Sequence, residues 1–262
     1  MITLMKFNIH KFGIILAFLF FTSPELSAQN DYDFKQIISE GEDLINQPGN
    51  WNADDYLTLG VILSGAYGIM QFDEAVQNYL NSQPFGKFSV PVEVGRLWGE
   101  PFFSVLFGAA FFLQGTASGN SKNRELGFEI EQSLFYTLWT TGIVKISLGR
   151  SRPYTDKGAF SFSPFNYRFT NRSLPSGHTS TAFSLSTVLA ENTNKDFLKT
   201  VYYLPAFLTA FSRVYENYHW TSDVILGAFT GIFIAKFFDD IHERQKDFPS
   251  NPKPLIKISV AL

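Results

Sequence analysis

The chain has 262 residues, with 21 Lys and Arg against 24 Asp and Glu, a formal charge of −3 and no cysteine. That length fits one domain with tails. The mild acidity argues against nucleic acid as the main partner, and the missing cysteine excludes disulfides and thiolate metal sites.

In chain order, Lys6 and Lys11 precede an apolar run over 12–21, followed by Pro24, Ser27 and Ala28. This reads as a secretory signal peptide over 1–28, cleaved after Ala28. An uncleaved anchor is the alternative, although the run is short for a span of about 20 residues. Either way the chain is addressed out of the cytoplasm. Residues 29–53 read as an amphipathic lead-in with a turn at Pro48, Gly49 and Asn50. Six apolar segments follow, near 54–70, 101–116, 128–148, 178–191, 198–213 and 219–238. Each is long enough for a helix and too long for a strand. The expectation is an all-α fold, a bundle of about six core helices over 54–240 with a loose tail at 241–262. The stretches 71–100 and 154–174 are expected as loops that set specificity.

Three separate segments carry chemistry. Lys145 and Arg152 enclose six residues and precede Pro153; then comes Pro175-Ser176-Gly177-His178; then Ser212-Arg213, His219 and Asp223. Proline disfavours helix at the residue before it. Lys145 and Arg152 are therefore expected on one face at the end of the third helix, with His178 opening the fourth. Ser212 and Arg213 close the fifth, while His219 and Asp223 open the sixth, four apart on one face. In an up-down bundle these four places share one end, which is where the active site is expected.

The residue types suit a phosphate dianion. Lys145, Arg152 and Arg213 supply charge, and an arginine can bind two oxygens at once. Ser176 is a good N-cap, and Gly177 lets a helix N-terminus approach an anion closely. Asp223 can fix the tautomer of His219 and leave the other ring nitrogen as a nucleophile. His178 can protonate a departing alkoxide and later take a proton from water. Nothing in the pattern calls for a metal or other cofactor. His10 and His242 read as satisfied or exposed residues, Tyr218 and Trp220 as packing, and Asp239, Asp240 and Glu243 as a solvated helix face. Arg150, Lys157, Arg168 and Arg172 read as surface charges that steer an anion.

At these residues the sequence resembles the type 2 phosphatidic acid phosphatase superfamily, which also contains bacterial acid phosphatases and vanadium haloperoxidases. Every fixed position of the pattern Lys-x6-Arg-Pro, Pro-Ser-Gly-His, Ser-Arg-x5-His-x3-Asp is present. The resemblance implies His219 as a nucleophile forming a phosphohistidine, Asp223 as its orienter and His178 as general acid. It places Lys145, Arg152, Ser176, Gly177, Ser212 and Arg213 around the phosphate. The activity so implied is metal-independent hydrolysis of a phosphomonoester or pyrophosphate, on a substrate that can be lipid-linked: phosphatidate, an isoprenoid pyrophosphate or lipid A. Two rivals stand beside it, a vanadium haloperoxidase and a silent envelope module that binds lipid phosphates.

Membrane association stays open. The helix layout and the 29 Phe suit a membrane enzyme, yet mean hydropathy is near zero. Only the run from 101 to 121 is clearly long enough to span. If the mature N-terminus starts outside and all six helices span, the motif end lands in the cytoplasm. Either the first helix does not span or the bundle is soluble or peripheral, so the expectation is an envelope enzyme whose site faces the periplasm.

Overall fold

The computed structural model describes residues 32–83 and 89–246. The expected signal segment lies outside the described residues, as does 247–262 of the expected tail.

Helix α1 (Phe34–Asn46) starts where the Asp33 side chain accepts the Gln36 N–H at 2.9 Å, and it ends in a 3-10 turn, Gln47–Asn50. Asn52 then opens α2 (Ala53–Met70): its side chain takes the N–H groups of Asp54 and Asp55 while Asp55 takes its own, a capping box. The stretch expected as a loop over 71–100 instead holds two short helices, α3 (Asp73–Asn81) and α4 (Val90–Trp98). Neither carries a long apolar run. Asp73 and Glu74 in the first turn of α3, and Pro91 in that of α4, supply the start signals.

The bundle proper consists of α5 (Pro101–Ser118), α6 (Ser121–Leu148), α7 (Gly177–Glu191), α8 (Asp196–Tyr215) and α9 (Thr221–Lys246). Helix α6 begins ahead of its apolar run because Asn120 caps it, its side chain accepting the Asn123 N–H. Among the described residues there is no β-strand, only one isolated bridge between Arg150 and Phe162. The all-α expectation therefore holds.

Helix α7 is the axis of the fold. It packs against α6, α8 and α9, and every residue from Thr179 to Ala190 is buried. Its Ser, Thr and Ala side chains are small enough to let neighbouring helices close on it. Two of their hydroxyls return to the helix itself: Ser180 donates to the Ser176 carbonyl at 2.8 Å and Thr187 to that of Phe183 at 2.7 Å. Phe128, Tyr136, Ile234 and Phe238 fill one side of the core, and Ile130, Leu185 and Val188 fill another. Outward faces stay apolar as well: Leu57, Val61 and Tyr67 on α2, Phe102 and Leu113 on α5, and Phe197, Leu204 and Phe207 on α8 are exposed. Among the described residues α5 is the one helix long and apolar enough to cross a membrane.

Candidate active site

The three motif segments meet at one end of the bundle. Helix α6 stops at Leu148 because Gly149 takes the left-handed conformation, φ +63°, and returns its N–H to Lys145 at 3.0 Å. A Cβ there would sit 1.8 Å from the Ser163 carbonyl oxygen. The helix end corrects one expectation. Arg152 lies beyond α6, in the loop before Pro153, so it reaches Lys145 through the chain reversal and not along a shared helical face.

Loop carbonyls hold the two cations. Lys145 Nζ donates to the carbonyls of Arg172 and Ser173 at 3.0 and 3.2 Å. Arg152 donates to the carbonyls of Phe169, Tyr218 and Arg172 at 3.2–3.3 Å, with the Phe169 ring 4.1 Å from its guanidinium carbon. Burial and the Arg152 charge lower the Lys145 pKa to about 7. A phosphate dianion would reverse that shift. Ser176 caps α7, its hydroxyl accepting from the Thr179 backbone and hydroxyl, and its own N–H donates to the Asp223 carbonyl at 2.9 Å. A Cβ at Gly177 would meet Lys145 Cε at 3.6 Å, an ordinary contact, which places the start of α7 directly beside the lysine. Arg213 lies in the last turn of α8 and pairs with Glu216. The Ser212 hydroxyl donates to the Thr209 carbonyl and accepts from Arg213 Nε at 3.2 Å, which makes it a rest for the guanidinium.

His219 lies just before α9, not within it, and Asp223 sits in the first turn of that helix. Both are buried. His219 Nδ1 is 3.5 Å from Asp223 Oδ2, leaving Nε2 as the ring's other face. The same Oδ2 accepts the Ser173 hydroxyl at 2.5 Å and the Trp220 N–H at 3.0 Å, while Oδ1 accepts Arg150 at 2.6 Å. Burial alone would raise the Asp223 pKa. The contacts with His219, Arg150 and Ser173 outweigh it and hold the carboxyl at about 2. Burial drives the His219 pKa well below that of a free imidazole; Arg152 and Lys145 push the same way, against Asp223. At neutral pH the ring is a neutral base beside a fixed carboxylate.

His178 opens α7 as expected. The surrounding protein lowers its pKa, while Glu100, whose Oε1 is 3.4 Å from His178 Nε2, works in the opposite direction.

One candidate is placed differently from the sequence expectation. Arg150 is not a surface charge: it is completely buried and paired with both Asp73 and Asp223. Lys157 and Arg168 do lie on the surface, and Arg172 is partly buried. His242 is buried, with Nε2 3.1 Å from Glu40.

The PAP2 superfamily profile matches residues 131–247, the part of the chain that holds all three segments. Over that stretch the chain is similar to the PAP2 superfamily. A lipid A 1-phosphatase of Rhizobium johnstonii is 27% identical over 210 residues, covering 72% of this chain and 79% of that protein. A lipid A 1-phosphatase of Rhizobium etli is 29% identical over 209 residues, covering 71% and 83%. The crystal structure of Aquifex aeolicus LpxE aligns with a TM-score of 0.32 at 27% identity, over 56% of this chain and 93% of that one.

Asp73 and Glu100 touch the site from outside the matched residues. Ser173 and Arg150 touch it from inside, Ser173 from outside the three segments and Arg150 from an unfixed position of the first. Only one of the four carried a usable sign in the sequence: Arg150 is one of several cations crowded before Pro153, and not all of them could face water.

Proposed function

We propose that this protein is a metal-independent phosphomonoesterase acting on a lipid-linked phosphate at the cell envelope. The observation that carries the reading is the pairing of His219 with Asp223 at a place where Lys145, Arg152, Arg213 and the start of α7 converge and where His178 stands at the mouth. The cations and the first amides of α7 bind and neutralise the phosphate oxygens. His219 Nε2 attacks phosphorus as the bond to the alcohol oxygen breaks, and His178 gives that oxygen its proton. Asp223 stabilises the positively charged ring so formed. A water molecule then passes a proton to His178 and attacks phosphorus. The P–N bond breaks, and free His219 and inorganic phosphate remain.

The curated relatives named above act on lipid A, which supports a phosphorylated glycolipid as the substrate class. The outward apolar faces of α2, α5 and α8 support work in or on a membrane, since soluble monomers rarely leave such large apolar area exposed. The cation-then-apolar pattern of residues 1–28, read as a leader, supports export; in this reading the site lies on the periplasmic side and the catalytic domain runs over 54–240.

The test is phosphate release in EDTA from a soluble aryl phosphate and a long-chain lipid phosphate, with His219→Ala alongside. The reading expects release that survives EDTA, favours the lipid and vanishes in the variant. Loss of release in EDTA, or full turnover by His219→Ala, would overturn it.

A further inference from the structure

The buried Arg150 has two carboxylates, and only one of them belongs to the catalytic pair. Its NH1 donates to Asp223 Oδ1 at 2.6 Å, and its NH2 donates to Asp73 Oδ2 at 2.8 Å. All three side chains are fully buried. Asp73 also receives the N–H of Ser222 at 2.9 Å and its hydroxyl at 2.5 Å, so it caps from outside the very helix turn that carries Asp223. Its neighbours on α3 clamp the same region. Glu74 accepts the Ala159 N–H at 2.8 Å, and Gln77 donates to the Val214 carbonyl at 3.2 Å. Arg150 Nε in turn donates to the Ala159 carbonyl at 2.8 Å.

The charges set a physical requirement. A guanidinium 2.6 Å from Asp223 in a dry site would, alone, cancel the negative charge that His219 needs when its ring becomes positive. A second carboxylate on the far side of the guanidinium cancels that cation instead. Asp73, Arg150 and Asp223 together then carry one net negative charge, and His219 faces it. Buried charges interact strongly over such distances because little water screens them.

We propose that Asp73, from a helix outside the matched PAP2 residues, is a positioning residue for the nucleophile: it neutralises Arg150 and fixes the first turn of α9, so that Asp223 meets His219 with its charge undiminished. The role rests on the phosphohistidine reading, but its physical content, the electrostatics at His219, can be measured without turnover.

The experiment uses the full chain in detergent micelles with histidine labelled at both ring nitrogens. The sequence has only four histidines, and His219→Ala assigns the resonances of His219. Asp73→Asn keeps the shape and removes the charge; Asp73→Asn with Arg150→Met removes both charges. The groups facing His219 in every form are Lys145 from α6, Arg152 from the loop and Asp223 from α9. The single variant should lower the His219 pKa further and weaken the population with the proton on Nδ1. The double variant should bring both back toward wild type. In turnover, Asp73→Asn should lose about tenfold or more in kcat with KM changed less than about threefold, as for other residues that support a reacting group from behind, and the double variant should recover part of it. An unchanged His219 titration in folded Asp73→Asn overturns the proposal, as does a double variant whose His219 pKa stays at the Asp73→Asn value. If wild type releases no phosphate from any ester, the functional reading fails while the titration still decides this one. If Asp73→Asn does not fold, Ser222→Ala and Asp73→Glu carry the test. Ser222→Ala removes a hydroxyl that Asp73 and Arg150 share but keeps both charges, and Asp73→Glu keeps the charge on a longer arm; both should leave the His219 pKa near wild type, whereas a shift as large as that of Asp223→Asn would overturn the charge argument.

Discussion

Glu100 stands 3.4 Å from the outer nitrogen of His178, so the candidate general acid has its own carboxylate, just as the candidate nucleophile has Asp223. The two pairs differ in their water. Glu100 is 40% exposed and Asp223 not at all. The inner pair is suited to holding a fixed tautomer, and the outer one to trading a proton with leaving group and solvent.

The first prediction follows from the direction of both histidine shifts. His219 must be neutral to attack and His178 protonated to donate, and the surroundings push both pKa values below the ordinary 6.5. Activity should rise with pH as His219 loses its proton and fall again as His178 loses its own, giving a bell on the acid side of neutrality. Glu100→Gln removes the group that favours protonated His178. The falling limb of kcat/KM should therefore move to lower pH while the rising limb stays. A falling limb that does not move would show that Glu100 has no hold on His178.

Lys145 yields the second prediction. Its pKa of about 7 means that near neutral pH a substantial fraction of the free protein lacks this charge. A bound dianion favours the ammonium form, so anion binding should take up a proton and weaken as pH rises through 7. Sulfate stays fully ionised in that range and isolates the effect. Calorimetry in buffers of different ionisation enthalpy should show proton uptake by wild type and little by Lys145→Met. Equal uptake in both proteins would assign the proton to another group.

Asp223 gives a third, read as stability. Its folded pKa of about 2 lies below the unfolded value of 3.8. A carboxyl depressed by folding contributes stability above the unfolded value and loses it as pH falls through the folded one. In Asp223→Asn that acid-dependent component should be absent, so the fall in unfolding free energy between pH 4 and pH 2, followed by denaturant titration at each pH, should be smaller by an amount on the order of 2 kcal/mol. Equal slopes would mean that the carboxylate is not held by its partners.

The site was legible in the sequence to the extent that its chemistry is local. Lys145, His178, Arg213, His219 and Asp223 sit in short segments whose spacing survives translation into helix ends. The details that depend on where a helix stops were not legible. Gly149 ends α6 earlier than Pro153 requires, so Arg152 comes from a loop. The supporting carboxylates Asp73 and Glu100 were hidden for a different reason. They belong to a stretch with no long apolar run, and a carboxylate that answers a buried cation is defined by a contact across the fold, 77 residues away in the case of Asp73 and Arg150. Arg150 itself was misassigned because charge alone predicts exposure, and only a partner on each side makes burial tolerable.

The last prediction concerns how a lipid would reach this site. The loop after Arg152 exposes Phe160, Phe165, Tyr167 and Phe169, with Arg168 among them. Phe165 has φ +57° and its N–H is tied to the Ile146 carbonyl at 2.8 Å. A bulky residue held in the left-handed region costs energy, so the backbone there is fixed by its surroundings and turns the ring outward. Rings with a cation beside them suit the boundary between headgroups and acyl chains. Replacing Phe165 and Tyr167 by Ser should lower kcat/KM on a lipid phosphate in anionic vesicles at least about tenfold, since each apolar side chain withdrawn from lipid is worth ~1.5 kcal/mol. Turnover of a soluble aryl phosphate should be unchanged, because neither residue touches the phosphate cage. An equal loss on both substrates would place these rings in the support of Arg152, whose guanidinium already rests on Phe169. No loss on either would leave lipid capture to the exposed faces of α2, α5 and α8.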